Sequence, residues 1–181
     1  MQSYIQTITS VSDKPILRYL KDAFQVIGGS LFLAFAAQIA IPLTPVELTM
    51  QTFAVMLLAL TLGKVKGTLS VIAYILESMM GFPVLSNASI APLAIIGIKG
   101  GYLLGFVIQA YLCGSLFEKF SKLSYSILLV SLVLISSLQL SIGALWLGNF
   151  IGWNQALMVG FYPFIPGEII KCIAVLGFAK K

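Results

Sequence analysis

Apolar residues gather in six long stretches, separated by shorter segments that are polar or rich in glycine and proline. These stretches are Ala23–Ile41, Leu48–Leu62, Thr68–Met80, Gly101–Leu116, Tyr125–Leu147 and Gly160–Phe178. A membrane-spanning helix usually needs ~20 apolar residues, so the second and third stretches are short, and each alone could be re-entrant. As one helix they would extend ~50 Å at ~1.5 Å per residue, and Gly63–Gly67 interrupts them. The pattern favours a hairpin of two short spans, and six crossings in all.

The composition is that of an integral membrane protein. Of the 181 residues, 59% are hydrophobic and 9% are charged. The mean hydropathy of +1.02 exceeds what a soluble domain of this size can bury. The first 22 residues are more polar and lack the pattern of a cleaved signal peptide. We therefore expect a retained cytoplasmic or interfacial segment at 1–22, followed by an all-α, six-helix transmembrane domain at 23–181.

Basic residues predict the orientation of the chain, because Lys and Arg collect in short cytoplasmic loops. Most of them lie at alternate ends of the apolar stretches: Lys14, Arg18, Lys21, Lys64, Lys66, Lys119, Lys122, Lys180 and Lys181. The loops on the opposite side contain Lys99 as their only basic residue. This distribution predicts a multi-pass protein of the cytoplasmic (inner) cell membrane with both termini inside. It also accounts for the net charge of +5 without nucleic-acid binding.

Several kinds of chemistry are excluded by the residue types. Histidine is absent, and Cys113 and Cys172 both lie in apolar stretches, so we expect no zinc site, no disulfide and no cofactor. The spacing in Gly63–Gly67 does not match the G-x-x-x-x-G-K-[ST] phosphate loop, so the chain cannot hydrolyse ATP itself. Few polar residues lie at membrane depth, which argues against an embedded enzyme.

Glu168 and Lys171 stand one helical turn apart inside the last apolar stretch. A charged residue at membrane depth costs ~2.5 to 3.5 kcal/mol on insertion scales, so such residues usually face a cavity or a partner. Pro163, Pro166 and Gly167 interrupt the helix just before the pair, and broken membrane helices tend to mark binding sites. We predict a binding site here. The alternative is a structural ion pair that holds this helix against its neighbours.

Three segments on the predicted outer side are irregular, namely Pro42–Glu47, Gly81–Gly100 and Gly148–Gln155. The middle one is the longest, and it mixes Pro83, Pro92 and polar residues with apolar ones. We expect it to fold over a pocket as a lid. A loop that lies on the lipid surface is the alternative.

Seven short motifs follow one another along the chain. They are Pro45–Thr52, Gly63–Gly67, Tyr74, Gly81–Val84, Gly100–Phe106, Gly143–Leu147 and Pro163–Lys171. In order and spacing, this set resembles the signature blocks of the biotin transporter family. The proteins of that family are substrate-binding S components of energy-coupling factor transporters. The resemblance extends from about Gly28 to Phe178, and it implies an S-component-like bundle that takes up biotin.

The resemblance places ligand contacts on Asn87, Glu168 and Lys171. Biotin's ureido ring offers N–H donors and a carbonyl acceptor, which carboxylate, ammonium and amide groups can bind. Apolar and aromatic walls are expected from Tyr74, Phe82, Tyr102, Trp146, Tyr162 and Phe164. Each of these could instead serve packing or interfacial anchoring. Sequence alone leaves open whether Lys171 binds the ureido carbonyl or the carboxylate of the substrate.

The chain departs from the family pattern at four positions that bear on the site. The family usually has Pro at Glu47, a small or apolar residue at Glu77, Thr at Lys99 and Asp at Glu168. Glu in place of Asp keeps the carboxylate and lengthens its reach. Lys99 and Glu77 could pair with each other or rearrange the lid.

Small residues recur on the first apolar stretch at spacings that let another helix approach closely. They are Ser30, Ala34, Ala36, Ala37 and Ala40. S components use small residues of their first helix to meet a transmembrane coupling subunit, so we expect Ala36, Ala37 and Ala40 to dock this partner. Packing within the chain is the alternative. The implied partners are biotin, the coupling subunit, two ATPase subunits and the lipid bilayer. The alternative to ATP-driven transport is that the protein works alone on a gradient.

Two other functions compete with biotin uptake. An S component for a different heterocyclic vitamin would need a similar cavity. An ion or proton channel could use Glu77, Glu168 and Lys171 as a relay through the membrane.

Overall fold

The computed structural model describes residues 15–89, 92–120 and 123–179, and in these ranges the regular secondary structure is helical apart from one short strand pair. The helices are α1 (Pro15–Gln38), α2 (Gln51–Met79), α3 (Gly100–Phe120), α4 (Tyr125–Ile151), α5 (Trp153–Gly160) and α6 (Ile165–Ala179). The antiparallel strands are β1 (Ala40–Ile41) and β2 (Leu48–Thr49). Single 3₁₀ turns are formed by Ser86–Ala88 and Tyr162–Phe164. The predicted all-helical class is confirmed.

Helix α2 folds back on itself at Gly63, whose φ of 78° and ψ of 176° lie outside the helical region. Gln51 Nε2 donates a 2.7 Å hydrogen bond to Tyr74 Oη, although a straight helix would separate these residues by ~35 Å. A Cβ at Gly67 would lie 3.0 Å from Ala59 Cα, so the two arms touch near the bend. Helix α2 is therefore a hairpin. The interruption takes only Gly63, and residues 64–67 belong to the second arm.

Five helical segments of the described chain are long and apolar enough to cross a membrane. They are Ile16–Gln38, Gln51–Met79, Gly100–Phe120, Tyr125–Ile151 and Trp153–Ala179. The second of these is the α2 hairpin, and the last joins α5 to α6 through a 3₁₀ turn. Large apolar side chains cover the outside of the bundle, as expected of a surface in contact with lipid; Phe24 and Met80, for instance, are 80% and 75% exposed. The chain is a multi-pass membrane protein.

Two boundaries differ from the sequence expectation. Helix α1 begins at Pro15, so its first turns lie within the segment placed ahead of the first span; residues 1–14 lie outside the described ranges. The irregular outer loop predicted at 148–155 is wrong, because α4 continues to Ile151 and α5 starts at Trp153. Gly152 alone joins them, with a φ of 87° that glycine adopts without steric cost.

Helix α3 lies between α2 and α4 and packs against both. Glycines bring α3 and α4 close together. A Cβ at Gly143 would lie 2.2 Å from Tyr102 Cδ1, and one at Gly105 would lie 3.0 Å from Gln139 Cγ. These glycines leave room for the Tyr102 ring and the Gln139 side chain between the two helices. Both side chains are thereby held near the start of α3, where the connections between helices meet.

Candidate ligand-binding site

A cavity lies where the β1–β2 connection, the segment before α3 and the start of α6 converge. Its polar wall is formed by Glu47, Thr49, Gln51, Thr52, Ser86, Lys99, Gln139, Glu168 and Lys171. Its apolar wall is formed by Val46, Leu85, Ala94, Tyr102, Leu103, Phe106, Leu140 and Phe164. An apolar cavity with a few convergent polar groups is typical of a small-molecule binding site.

Glu168 and Lys171 form a buried ion pair at this cavity, with exposed fractions of 4% and 6%. Helix α6 begins at Ile165, which places Glu168 in its first turn, where the helix dipole favours an anion. Lys171 Nζ donates to Glu168 Oε1 at 2.7 Å, to Thr49 O at 2.7 Å and to Thr52 Oγ1 at 2.8 Å. An ammonium has three N–H donors, so these contacts use all of them.

Two buried acceptors at the cavity have no partner. Glu168 Oε2 and Gln139 Oε1 receive no hydrogen bond from any residue that the structure describes. Both side chains line the cavity, and Gln139 is only 1% exposed. A buried acceptor left unpaired costs about 1 to 3 kcal/mol. A ligand that brings two N–H donors would satisfy both acceptors.

Two aromatic rings form part of the apolar wall. Tyr102 and Phe164 stack with their ring centroids 6.4 Å apart and an interplanar angle of 28°. Tyr102 Oη donates to Gly160 O at 2.7 Å, which fixes the ring and ties α3 to the end of α5. The pair offers a flat, rigid surface to the apolar part of a ligand.

A second ion pair lies at the more exposed part of the cavity. Lys99 Nζ lies 2.5 Å from Glu47 Oε2, with side-chain exposed fractions of 35% and 18%. Ser86 Oγ donates to Glu47 Oε2 at 3.2 Å. Burial raises the pKa of Glu47, but the hydrogen bond and the positive charge of Lys99 outweigh it, so the pKa lies below its usual value. The carboxylate is thus ionised at neutral pH.

The predicted pairing of Lys99 with Glu77 is wrong. Glu77 accepts a 2.6 Å hydrogen bond from Ser30 Oγ, which joins α2 to α1, while Lys99 pairs with Glu47. The two departures from the family pattern at Glu47 and Lys99 thus contact each other across the cavity entrance.

A model of the BioY family matches residues 6–181, nearly the whole chain. The chain belongs to the BioY family. A Thermotoga maritima protein named "Biotin transporter BioY" is 38% identical over 161 residues, which cover 87% of this chain and 94% of that protein. A Pyrococcus horikoshii protein named "Probable biotin transporter BioY" is 34% identical over 155 residues, which cover 84% of this chain and 91% of that protein. The family expected from the motifs is confirmed.

One solved structure shares the fold of this BioY-family chain. It is the S-component for biotin from an ECF-type ABC transporter, with a TM-score of 0.78 over 92% of each chain. The two sequences are 23% identical, so this likeness supports the fold alone. By their names, the matched proteins are transporters or parts of transporters, not enzymes.

Four of the aromatic residues and the amide that were predicted to contact the ligand lie away from the cavity wall. Tyr74 is fully buried behind Gln51, to which it is hydrogen bonded. Trp146 Nε1 donates to Gly97 O at 2.9 Å and so holds the segment before α3. The other three are exposed: Phe82, Tyr162 and Asn87. Asn87 nevertheless follows Leu85 and Ser86, which line the cavity.

The small residues of α1 face the interior of the same chain. Ala36 and Ala37 are buried, with exposed fractions of 4% and 0%, and Ala36 packs in a cluster with Ala54 and Tyr74. Ala40 lies beyond the helix in β1 and is half-buried. This is the intramolecular packing that the sequence left as the alternative to partner docking.

Sequence reasoning missed Gln139, Thr49 and Thr52 as site residues. Gln139 lies in α4, whose stretch is the most hydrophobic of the five membrane-length segments, with a hydropathy of 2.2. A polar side chain at membrane depth usually faces the bundle interior or a cavity, and that signal was available. Thr52 lies in the first turn of α2, and its hydroxyl donates to Glu168 Oε1 at 2.6 Å, a contact between residues far apart in the chain.

Proposed function

We propose that this BioY-family protein is the substrate-binding component of a biotin uptake system and captures biotin in the cavity. The observation that carries the proposal is the pair of unpaired acceptors, Glu168 Oε2 and Gln139 Oε1, beside an apolar wall. The names of the relatives, which are biotin transporters, support the same substrate.

The chemistry of biotin suits this cavity. The ureido head has two N–H groups, which would donate to Glu168 Oε2 and Gln139 Oε1, and a bond to an ionised acceptor is the stronger kind. Lys171 pairs with Glu168 at 2.7 Å, and it can donate to the ureido carbonyl by releasing Thr49 O. The fused rings and the aliphatic tail would lie against Tyr102 and Phe164. Binding thus supplies donors to two unpaired acceptors and buries apolar surface at the same time.

A binding assay on purified protein tests this function. Labelled biotin should bind, and unlabelled biotin should displace it while other heterocyclic vitamins do not. Displacement by a different vitamin at lower concentration than biotin would reassign the substrate. Absence of biotin binding to correctly folded protein would contradict the proposal.

We also propose six crossings, with both termini in the cytoplasm and the cavity facing outside. Lys64 and Lys66 lie next to the bend of the α2 hairpin, as expected of a cytoplasmic turn. Lys64 N–H donates to Glu118 Oε1 at 2.8 Å, which places the bend at the C-terminal end of α3. Tyr102 and the cavity lie at the opposite end of α3, and so on the outer side.

Single cysteines test this orientation, because Cys113 and Cys172 are buried and would react little. An impermeant thiol reagent should label an Ile98→Cys variant in intact cells. A Val65→Cys variant should be labelled only after permeabilisation. Labelling of Val65→Cys in intact cells would contradict the proposed orientation.

Assembly with an ATP-driven module is the remaining part of the proposal. The chain has no phosphate loop, and the solved structure with the same fold comes from an ECF-type ABC transporter. We expect a coupling subunit and two ATPase subunits to co-purify in mild detergent. Full uptake of biotin into vesicles that contain only this chain would contradict such an assembly. Docking of the coupling subunit near the end of α1 involves the surface around Ala40, which follows α1 in β1, since Ala36 and Ala37 are buried.

A further inference from the structure

We propose that Lys99 binds the carboxylate of the substrate, and that Glu47 occupies Lys99 while the cavity is empty. This inference rests on the proposed function, because it concerns a ligand with a ureido head and a carboxylate tail.

The first argument concerns the cations available to a carboxylate. Among the described residues, two cations line the cavity, Lys171 and Lys99. Lys171 is buried and directs its three donors to Glu168, Thr49 and Thr52, and the donor that it can release from Thr49 O is used by the ureido carbonyl. Lys99 has one close acceptor, Glu47, and a long 3.4 Å contact with Ser86 Oγ. It therefore has donor capacity that a carboxylate can use.

The second argument concerns depth within the cavity. The side chain of Lys171 is 7% exposed and that of Lys99 is 35% exposed. A ligand whose ureido head lies at Glu168 would extend its tail toward the exposed part of the cavity, where Lys99 lies. A terminal carboxylate then remains close to water and avoids the desolvation cost of a buried charge.

The third argument concerns charge. The cavity holds two lysines and two glutamates and is neutral as it stands. A substrate carboxylate adds a negative charge, which Glu47 repels for as long as it remains on Lys99. Glu47 belongs to the β1–β2 connection and is partly exposed, so it can turn to water when the substrate takes its place. Glu47 thus competes with the substrate carboxylate for Lys99.

Biotin and biotinamide provide the test, because the two differ only in the terminal group, which is a carboxylate in biotin and a neutral amide in biotinamide. Wild-type protein should bind biotin about fivefold more tightly than biotinamide, as for an ion pair at a partly exposed site. Lys99→Met should lose that preference and bind the two ligands equally. Lys99→Arg should retain the preference. Glu47→Gln should increase the ratio of biotin affinity to biotinamide affinity above that of the wild type.

Lys64→Met is the matched control, since Lys64 pairs with Glu118 at the other end of α3. This variant should keep the preference for biotin over biotinamide. Equal affinity of the wild type for biotin and biotinamide would overturn the role of Lys99 and leave biotin uptake standing. A Lys99→Met variant that still prefers biotin over biotinamide would also overturn the role of Lys99 and leave biotin uptake standing. Failure of the wild type to bind either ligand would instead overturn the proposed function itself.

Discussion

Lys171 donates a 2.7 Å hydrogen bond to one oxygen of Glu168, one helical turn earlier, and the other oxygen of Glu168 has no partner in the described chain. A pair with a purely structural role would be expected to use both carboxylate oxygens, because an unmade buried hydrogen bond is costly. The Glu168 side chain lines the cavity. We therefore propose that its unpaired oxygen accepts a hydrogen bond from the ligand, a role that a purely structural ion pair would not have.

Glu168→Ala and Lys171→Ala should each weaken biotin binding by more than about tenfold. Removing one member leaves the other as an unpaired buried charge, which costs about 3 to 5 kcal/mol, and the ligand loses an acceptor or the group that orients it. Titration calorimetry on folded protein measures the effect. Glu168→Asp, the usual family residue, should keep most of the affinity, and wild-type affinity in both alanine variants would refute the assignment.

Gln139→Leu should weaken biotin binding by about 1 to 3 kcal/mol, as expected for one buried hydrogen bond. Gln109→Leu is the matched control. Gln109 is also fully buried, its Oε1 also lacks a partner in the described ranges, and it donates to Ser136 Oγ at 3.0 Å, but it lies outside the cavity wall. Affinity should therefore be unaffected in Gln109→Leu, whereas equal losses in both variants would show a general packing effect.

The sequence predicted those parts of the site that depend on local geometry. Glu168 and Lys171 meet because residues three apart on a helix share a face, and their charge at membrane depth indicated a cavity. The break at Gly63 was likewise visible from glycines and lysines that interrupt an apolar stretch. Tyr102 and Phe164 were named among the aromatic candidates, and the structure places both in the cavity wall.

The remaining parts depend on contacts that no local pattern encodes. Lys99 and Glu47 belong to different connections, and their pairing follows from how those connections fold over the bundle. Gln139 is neutral and lies within an almost uniformly apolar helix, so it gave no charge signal. Tyr74 and Trp146 could not be separated from Tyr102, because an aromatic residue suits a core, an interface or a cavity equally well.

Gly143→Ala should reduce both stability and biotin affinity. The added Cβ would lie 2.2 Å from Tyr102 Cδ1, so the ring must move away from Phe164 and from its bond to Gly160 O. Thermal unfolding in detergent and biotin titration measure the two effects. Gly28→Ala is the control, since a Cβ there meets nothing within 4 Å, and it should leave both quantities unchanged or raise stability slightly through helix propensity.

Asn87 offers a test that separates ligand contact from backbone geometry. Its φ of 57° lies in the left-handed region, which asparagine and glycine adopt more readily than alanine. Its neighbour Ser86 lines the cavity, and a ligand contact of Asn87 stays a prediction. We expect Asn87→Gly, which preserves the backbone, to weaken biotin binding by roughly 1 to 3 kcal/mol through a lost hydrogen bond. Wild-type affinity in Asn87→Gly, together with reduced stability in Asn87→Ala, would show that the residue serves only the turn.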